Sequence, residues 1–176
     1  MKRISRNSVG LAGEFAVLSQ LALRGYDAGM TLGHTKNIDI LVYDPTSKKR
    51  YEVEVKSNLE TRNRPSRTKL FGQIETDWQM NEKHEKISSP NLFYCFVHIN
   101  SCQKAEHTFR FFIVPSKVVA TYVRQEHALW LKDNPAHRDT DRRLFKLGLP
   151  NDTEVAVPAP LASTYENNWG FSSKQE

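Results

Sequence analysis

Asn37-Ile-Asp-Ile-Leu-Val-Tyr-Asp44 and Arg50-Tyr-Glu-Val-Glu-Val-Lys-Ser57 are two alternating segments separated by Pro45-Thr-Ser-Lys-Lys49. Successive side chains in a β-strand point to opposite faces. In the first segment Ile38, Ile40 and Val42 take one face, and Asp39, Leu41 and Tyr43 take the other. In the second, Tyr51, Val53 and Val55 oppose Glu52, Glu54 and Lys56. The intervening residues are turn formers, so the pair reads as a β-hairpin. It sets Asp39 and Glu54 toward one face of a sheet, with Lys56 following on that face.

Working outward, residues 8–24 form a helix capped by Ser8 and ended by Gly25, with an apolar stripe of Leu11, Phe15, Leu18 and Leu21. Glu14 sits beside that stripe. Residues 26–32 make a strand before the hairpin. Residues 58–70 read as a polar loop and 76–87 as a short helix. Residues 92–99 and 109–114 are strands, and 116–132 a helix. Residues 145–149 are a short strand and 158–168 a terminal helix, after which Trp169 and Phe171 fold back on the core.

The expected fold class is therefore α/β, one domain over residues 1–176. A mixed central sheet of about five strands is flanked by helices. The core spans about residues 8–114 and C-terminal helical additions about 115–171. The length suits one domain with a sizeable core.

Two carboxylates that converge near a sheet edge repel each other unless a cation lies between them. Few, hard oxygen ligands suit Mg²⁺ or Mn²⁺, with water and phosphate completing the shell. A lysine alongside can hold a developing hydroxide and meet the charge that builds on a phosphorane.

The chain carries 25 basic against 20 acidic residues, a formal charge of +5, and its pI of about 9.2 suits a polyanion partner. Arg62, Arg64, Arg67 and Lys69 follow the Glu-x-Lys strand directly, placed to grip phosphates. No Gly-rich phosphate loop and no Gly-x-Ser-x-Gly is present. Cys95 lies in an apolar run, and Cys102 has no zinc-type spacing with it. His84, His98, His107, His127 and His137 are scattered and read as structural or surface residues. Trp78, Trp130 and Trp169 read as core. No apolar run is long enough to span a membrane, and the expected location is the cytoplasm.

Asp39, then Glu54-Val55-Lys56, preceded by a helix bearing Glu14, resembles the PD-(D/E)XK nuclease superfamily over roughly residues 8–99. The resemblance implies its restriction-endonuclease-like α-β-β-β-α-β core and metal-dependent hydrolysis of phosphodiester bonds, in DNA above other nucleic acids. It implies metal binding by Asp39, Glu54 and the carbonyl of Val55, a water positioned by Lys56, and a supporting role for Glu14. It places Gln73 as a polar contact on the helix after the catalytic strand, and a homodimer is a further expectation. Asn37-Ile-Asp stands where the name motif has a proline beside the aspartate, and Glu52 is an extra acid on the active face. The alternative is a nuclease-fold binding or scaffold protein that no longer cleaves.

Overall fold

The computed structural model describes residues 4–32, 37–60, 66–101, 106–150 and 154–171. In chain order its elements are helix α1 (Arg6–Ala22) and strands β1 (Asp27–Met30), β2 (Ile40–Asp44), β3 (Lys49–Glu60), β4 (Ser66–Thr68) and β5 (Gly72–Asn81). A one-turn 3₁₀ helix (Glu82–Glu85), β6 (Leu92–Ser101), β7 (His107–Pro115), helix α2 (Ser116–Asp133), β8 (Arg142–Gly148) and the single turn α3 (Ala162–Tyr165) complete it.

The class is mixed α/β. A five-stranded sheet runs β1-β2-β3-β6-β7, parallel only between β3 and β6. The hairpin read from the sequence is β2–β3, with Ile40 opposite Val53. Strand β6 lies inside the sheet between β3 and β7, and its first eight residues, Leu92 to Ile99, are all buried. That matches its near-continuous apolar sequence, as expected for a strand covered on both faces.

One face of the sheet packs on α1. Val17 and Leu21 meet Ile40, Val42, Val53, Val55 and Val97. The other face, carrying Tyr94, Phe96 and Phe112, packs under a second sheet, β4-β5-β8, and under α2 through Trp78, Phe145, Val119 and Val123. At about 1.5–3 kcal/mol for each fully buried large apolar side chain, these two layers dominate the stability of the fold.

Several sequence expectations need correction. The helix expected over 76–87 is strand β5, followed by the 3₁₀ turn. Ile74, Thr76, Trp78 and Met80 are buried at a spacing of two, so the segment follows strand periodicity. The crossover that joins the parallel strands β3 and β6 is thus a β-hairpin and a 3₁₀ turn instead of a helix. The loop expected over 58–70 is partly strand, since β3 continues to Glu60 and Ser66–Thr68 forms β4. The C-terminal additions are less helical than expected: β8 joins the second sheet, and the terminal helix is one turn.

In α1 the cap is Ser5, whose side chain accepts from the Ser8 N–H. The helix buries Gly13, Val17 and Leu21, leaving Leu11 and Phe15 half exposed. The smallest residue faces the sheet because the approach is close. A Cβ on Gly13 would sit 1.8 Å from Ser57 Oγ and 3.0 Å from Ser57 Cβ. Trp169 and Phe171 do fold back: Phe171 stacks on Tyr51 at 4.5 Å and Trp169 lies against Phe111 at 5.3 Å. No described helix is long and apolar enough to cross a membrane.

Candidate functional site

Asp39 immediately precedes β2, and its position follows from the hairpin ladder. Its N–H donates to the Val53 carbonyl at 2.9 Å. Its side chain reaches along the sheet plane, and Oδ2 accepts from the Val55 N–H at 2.6 Å. The carboxylate therefore takes the place of a further β2 carbonyl and fastens the end of the ladder. This corrects the expectation that Asp39 stands up from the sheet face beside Glu54. Backbone groups two residues apart point to the same side of a strand, so the Val55 carbonyl is directed toward this same edge.

Glu54 is fixed by its neighbour on β6. It is in register with Tyr94, as Lys56 is with Phe96, on the face that the second sheet covers. Glu54 is buried at 2% exposure. Its Oε1 lies 2.6 Å from Lys56 Nζ, and its Oε2 is buried with no hydrogen-bond partner. An unsatisfied buried carboxylate oxygen is costly, so a structure that keeps one calls for a reason. Lys56 is the pair's outlet to solvent, with its side chain 27% exposed.

Glu14 completes the group from α1, which Gly13 allows to lie close to β3. Burial raises its carboxyl, and the Asp39 charge raises it further, against the Lys56 ammonium. Asp39 is also raised. Burial is the main cause and Glu54 adds to it, while the Val55 N–H, Lys56 and Lys83 act in the opposite direction. Glu14 and Asp39 thus each feel the other groups of this region: Lys56 acts on both, and Glu54 on Asp39.

Among the described residues no group of three or more His, Cys, Asp or Glu side chains is gathered closely enough to hold a metal. The donors that fit a cation are two carboxylates, one with the orphaned oxygen, and the carbonyl edge of Val55. That small oxygen set suits a hard divalent ion that keeps most of its water.

Lys56 opens into a cleft of about 1270 Å³ between the start of α1, the far half of β3 and the β5–β8 strands. Arg6, Lys56, Lys83 and Arg142 line it against the acidic Asp77 and Asp141, with Asn58 and Gln79 between them. Lys83 donates to Asn37 Oδ1 at 2.7 Å, tying the 3₁₀ turn to the approach of β2.

The expected phosphate-gripping residues fare differently. Arg62 and Arg64 lie outside the described residues. Arg67 is exposed on β4 and Lys69 exposed beyond it, while Gln73 is half buried on β5 in register with Arg67. None of these three lines the cleft that holds Lys56. Gln73 is on a strand, so the helical placement implied by the resemblance is overturned. Glu52 is half buried near the start of β3.

Two site residues escaped the sequence reading. His84 is buried at 2%, with Nδ1 2.8 Å from the Tyr94 hydroxyl and Nε2 3.8 Å from Glu54 Oε1. Burial, with Lys56 and Lys83 nearby, pushes its imidazole down to about 3, so it is neutral. Burial, the adjacent Glu54 charge and a side-chain hydrogen bond toward Glu54 push the Tyr94 phenol up, so it keeps its proton. No spacing rule links residues 54, 84 and 94; only the β3–β6 register and the 3₁₀ turn bring them together.

No protein-family model matches the sequence, and no curated protein does. Among solved structures, the chain is similar to a bacterial homing endonuclease, I-Ssp6803I, with a TM-score of 0.49 and 12% identity over 96% of this chain and 91% of that one. At that identity and score the likeness supports no statement about activity.

Proposed function

We propose that this chain is a divalent-cation-dependent nuclease that hydrolyses phosphodiester bonds, with DNA as its substrate, on a site of the PD-(D/E)XK kind. The observation that carries this reading is Glu54: a buried carboxylate with one oxygen unbonded, paired to Lys56, which lines a cleft together with Arg6, Lys83 and Arg142.

Asp39 and Glu54, with the Val55 carbonyl, would hold the cation. When bound, it supplies positive charge to the scissile phosphate and to the attacking oxygen. The protein does the rest. The cationic side chains of the cleft hold the nucleic-acid backbone on both sides of the scissile bond. Lys56 turns from Glu54 to donate hydrogen bonds to the attacking water and to meet the charge that develops on phosphorus. Glu14, whose carboxyl is raised, accepts from water near Asp39 and Lys56. The hydrophobic layer under Phe96 and Trp78 keeps Glu54 in place and limits bulk water around it.

The test is incubation of the purified protein with labelled duplex DNA, single-stranded DNA and RNA in Mg²⁺, Mn²⁺ or EDTA, beside Lys56→Ala. Cleavage that needs the cation and disappears in the variant is expected. Equal product from both proteins would refute the site. The binding-only reading has one observation in its favour, the lack of a third closely gathered ligand among the described residues. It predicts binding that weakens steeply with salt and no turnover in any cation.

A further inference from the structure

Behind Glu54 stands a histidine that the proposed chemistry does not use. His84 belongs to the 3₁₀ turn, and its ring meets that of Tyr94 edge to face at 5.6 Å. Its Nε2 approaches Oε1 of Glu54 at 3.8 Å, the oxygen that Lys56 holds at 2.6 Å. The second oxygen, Oε2, stays unbonded.

A neutral imidazole has one N–H and one lone pair. Beside a carboxylate the favoured tautomer carries its proton on Nε2, toward the negative charge, and Nδ1 then accepts from the Tyr94 hydroxyl. The arrangement is a chain of donors, Tyr94 to His84 to Glu54, whose last link is about one ångström too long while Lys56 occupies Oε1.

Lys56 cannot serve the substrate while it is bound to Glu54. Once it turns away, a carboxylate at 2% exposure would lose the ammonium that neutralises it. A buried charge stripped of its partner is strongly disfavoured. A donor already waiting at Oε1 removes that obstacle without adding charge.

We propose that His84, oriented by Tyr94, is the positioning residue for Glu54: its Nε2–H takes over Oε1 when Lys56 leaves, holding Oε2 toward the cation. This rests on Asp39 and Glu54 being cation ligands. Partners behind a metal ligand fix its orientation, and their loss commonly weakens metal binding by about 10–100-fold.

The experiment is titration with Mn²⁺ alone, without nucleic acid, followed by the electron paramagnetic resonance of the free ion. It compares the natural protein, Glu54→Gln, His84→Leu, His84→Gln and Tyr94→Phe, each checked for folding by circular dichroism. His84→Leu should weaken Mn²⁺ binding about tenfold or more. His84→Gln, which keeps a donor, should recover most of it, and Tyr94→Phe should fall between. Natural affinity in a folded His84→Leu overturns the inference, as does an equal loss in His84→Leu and His84→Gln, which would mean packing alone. If His84→Leu does not fold, the nearly isosteric Tyr94→Phe decides, and unchanged affinity there overturns it. A natural protein that binds no Mn²⁺ defeats the cation site and this inference together. Binding lost in Glu54→Gln but kept in His84→Leu defeats this inference alone.

Discussion

Among the described residues, two glutamate–lysine pairs have a buried glutamate, and they are built for opposite ends. Glu126 of α2 and Lys146 of β8 form an ion pair with side chains 3% and 10% exposed, and Lys146 also lies over the Phe71 ring at 3.9 Å. This pair is enclosed between a helix and a sheet. Glu54 and Lys56 are two residues apart on one strand, and there the lysine opens to a cleft while one glutamate oxygen has no partner. Neither Glu126 oxygen is among the buried unpartnered side-chain atoms of the described residues. The same two side chains make a closed structural pair in one place and an unfinished one in the other. An unfinished pair is what a site that must accept another charge requires.

The largest effect that could break this comparison is on catalysis. Lys56→Ala and Glu54→Ala should each lower cleavage by about a thousandfold or more, roughly 4 kcal/mol of transition-state stabilisation, with circular dichroism unchanged in shape. Lys146→Ala should leave the rate per folded molecule as it was. A Lys146 variant that lost turnover while remaining folded would erase the distinction.

Stability should follow the reverse order. Removing one partner of a buried pair leaves an uncompensated charge, at a cost of about 3–5 kcal/mol. Lys146→Ala should therefore shift the urea midpoint far more than Lys56→Ala, where the His84 Nε2–H stands ready to take over Oε1 of Glu54. Replacing Glu126 and Lys146 together with leucine and methionine should restore most of the loss. Gly13→Ala comes next. Its Cβ would overlap Ser57, so the Ser57 hydroxyl must rotate and α1 must ease away from β3 by a few tenths of an ångström. Overpacking of this kind costs about 1–3 kcal/mol, and the displacement carries Glu14 with it, so urea unfolding and cleavage rate should both respond.

The hairpin and its three charged residues were legible in the sequence because strand periodicity is local, and alternation alone assigns Val53 and Glu54 to opposite faces. The reading failed where tertiary packing decides. Residues 72–81 alternate as clearly as the hairpin does, yet polar residues at every second position disguised a strand whose buried side chains face another layer. The apolar side chains Leu11 and Phe15 suggested the wrong face of α1, because contact with the sheet selected Gly13. Asp39 was placed correctly along the chain but not in direction, since its bond to the Val55 N–H replaces a ladder contact. His84 carries no local signal, and its role depends on a crossover whose form the sequence did not disclose.

The smallest predicted effect is the most specific to the unfinished pair. Asp39 is half buried and held near Glu54 and Glu14, and burial is the chief reason its carboxyl is raised. Its charge therefore works against folding at neutral pH when no cation is present. Asp39→Asn keeps an oxygen for the Val55 N–H and removes the charge, so in EDTA it should melt a few degrees higher, as about 1 kcal/mol moves Tm by roughly 2–4 °C in a domain of this size. The sign with pH follows from linkage. A carboxyl raised in the folded state binds its proton more tightly there, so its contribution is fully favourable below the unfolded value and is lost as pH rises through the folded one. The variant's advantage should thus be largest near pH 7 and shrink as the pH falls and Asp39 takes up its own proton, which makes it resemble asparagine. Glu14 titrates in both proteins, but in the variant it is relieved of the Asp39 charge and should lose its proton at lower pH. Saturating Mn²⁺ should reverse the order of melting at pH 7, because the natural protein then gains a ligand that the variant holds less well. A variant that melts higher with or without the cation would mean that Asp39 is only a strained end of the ladder.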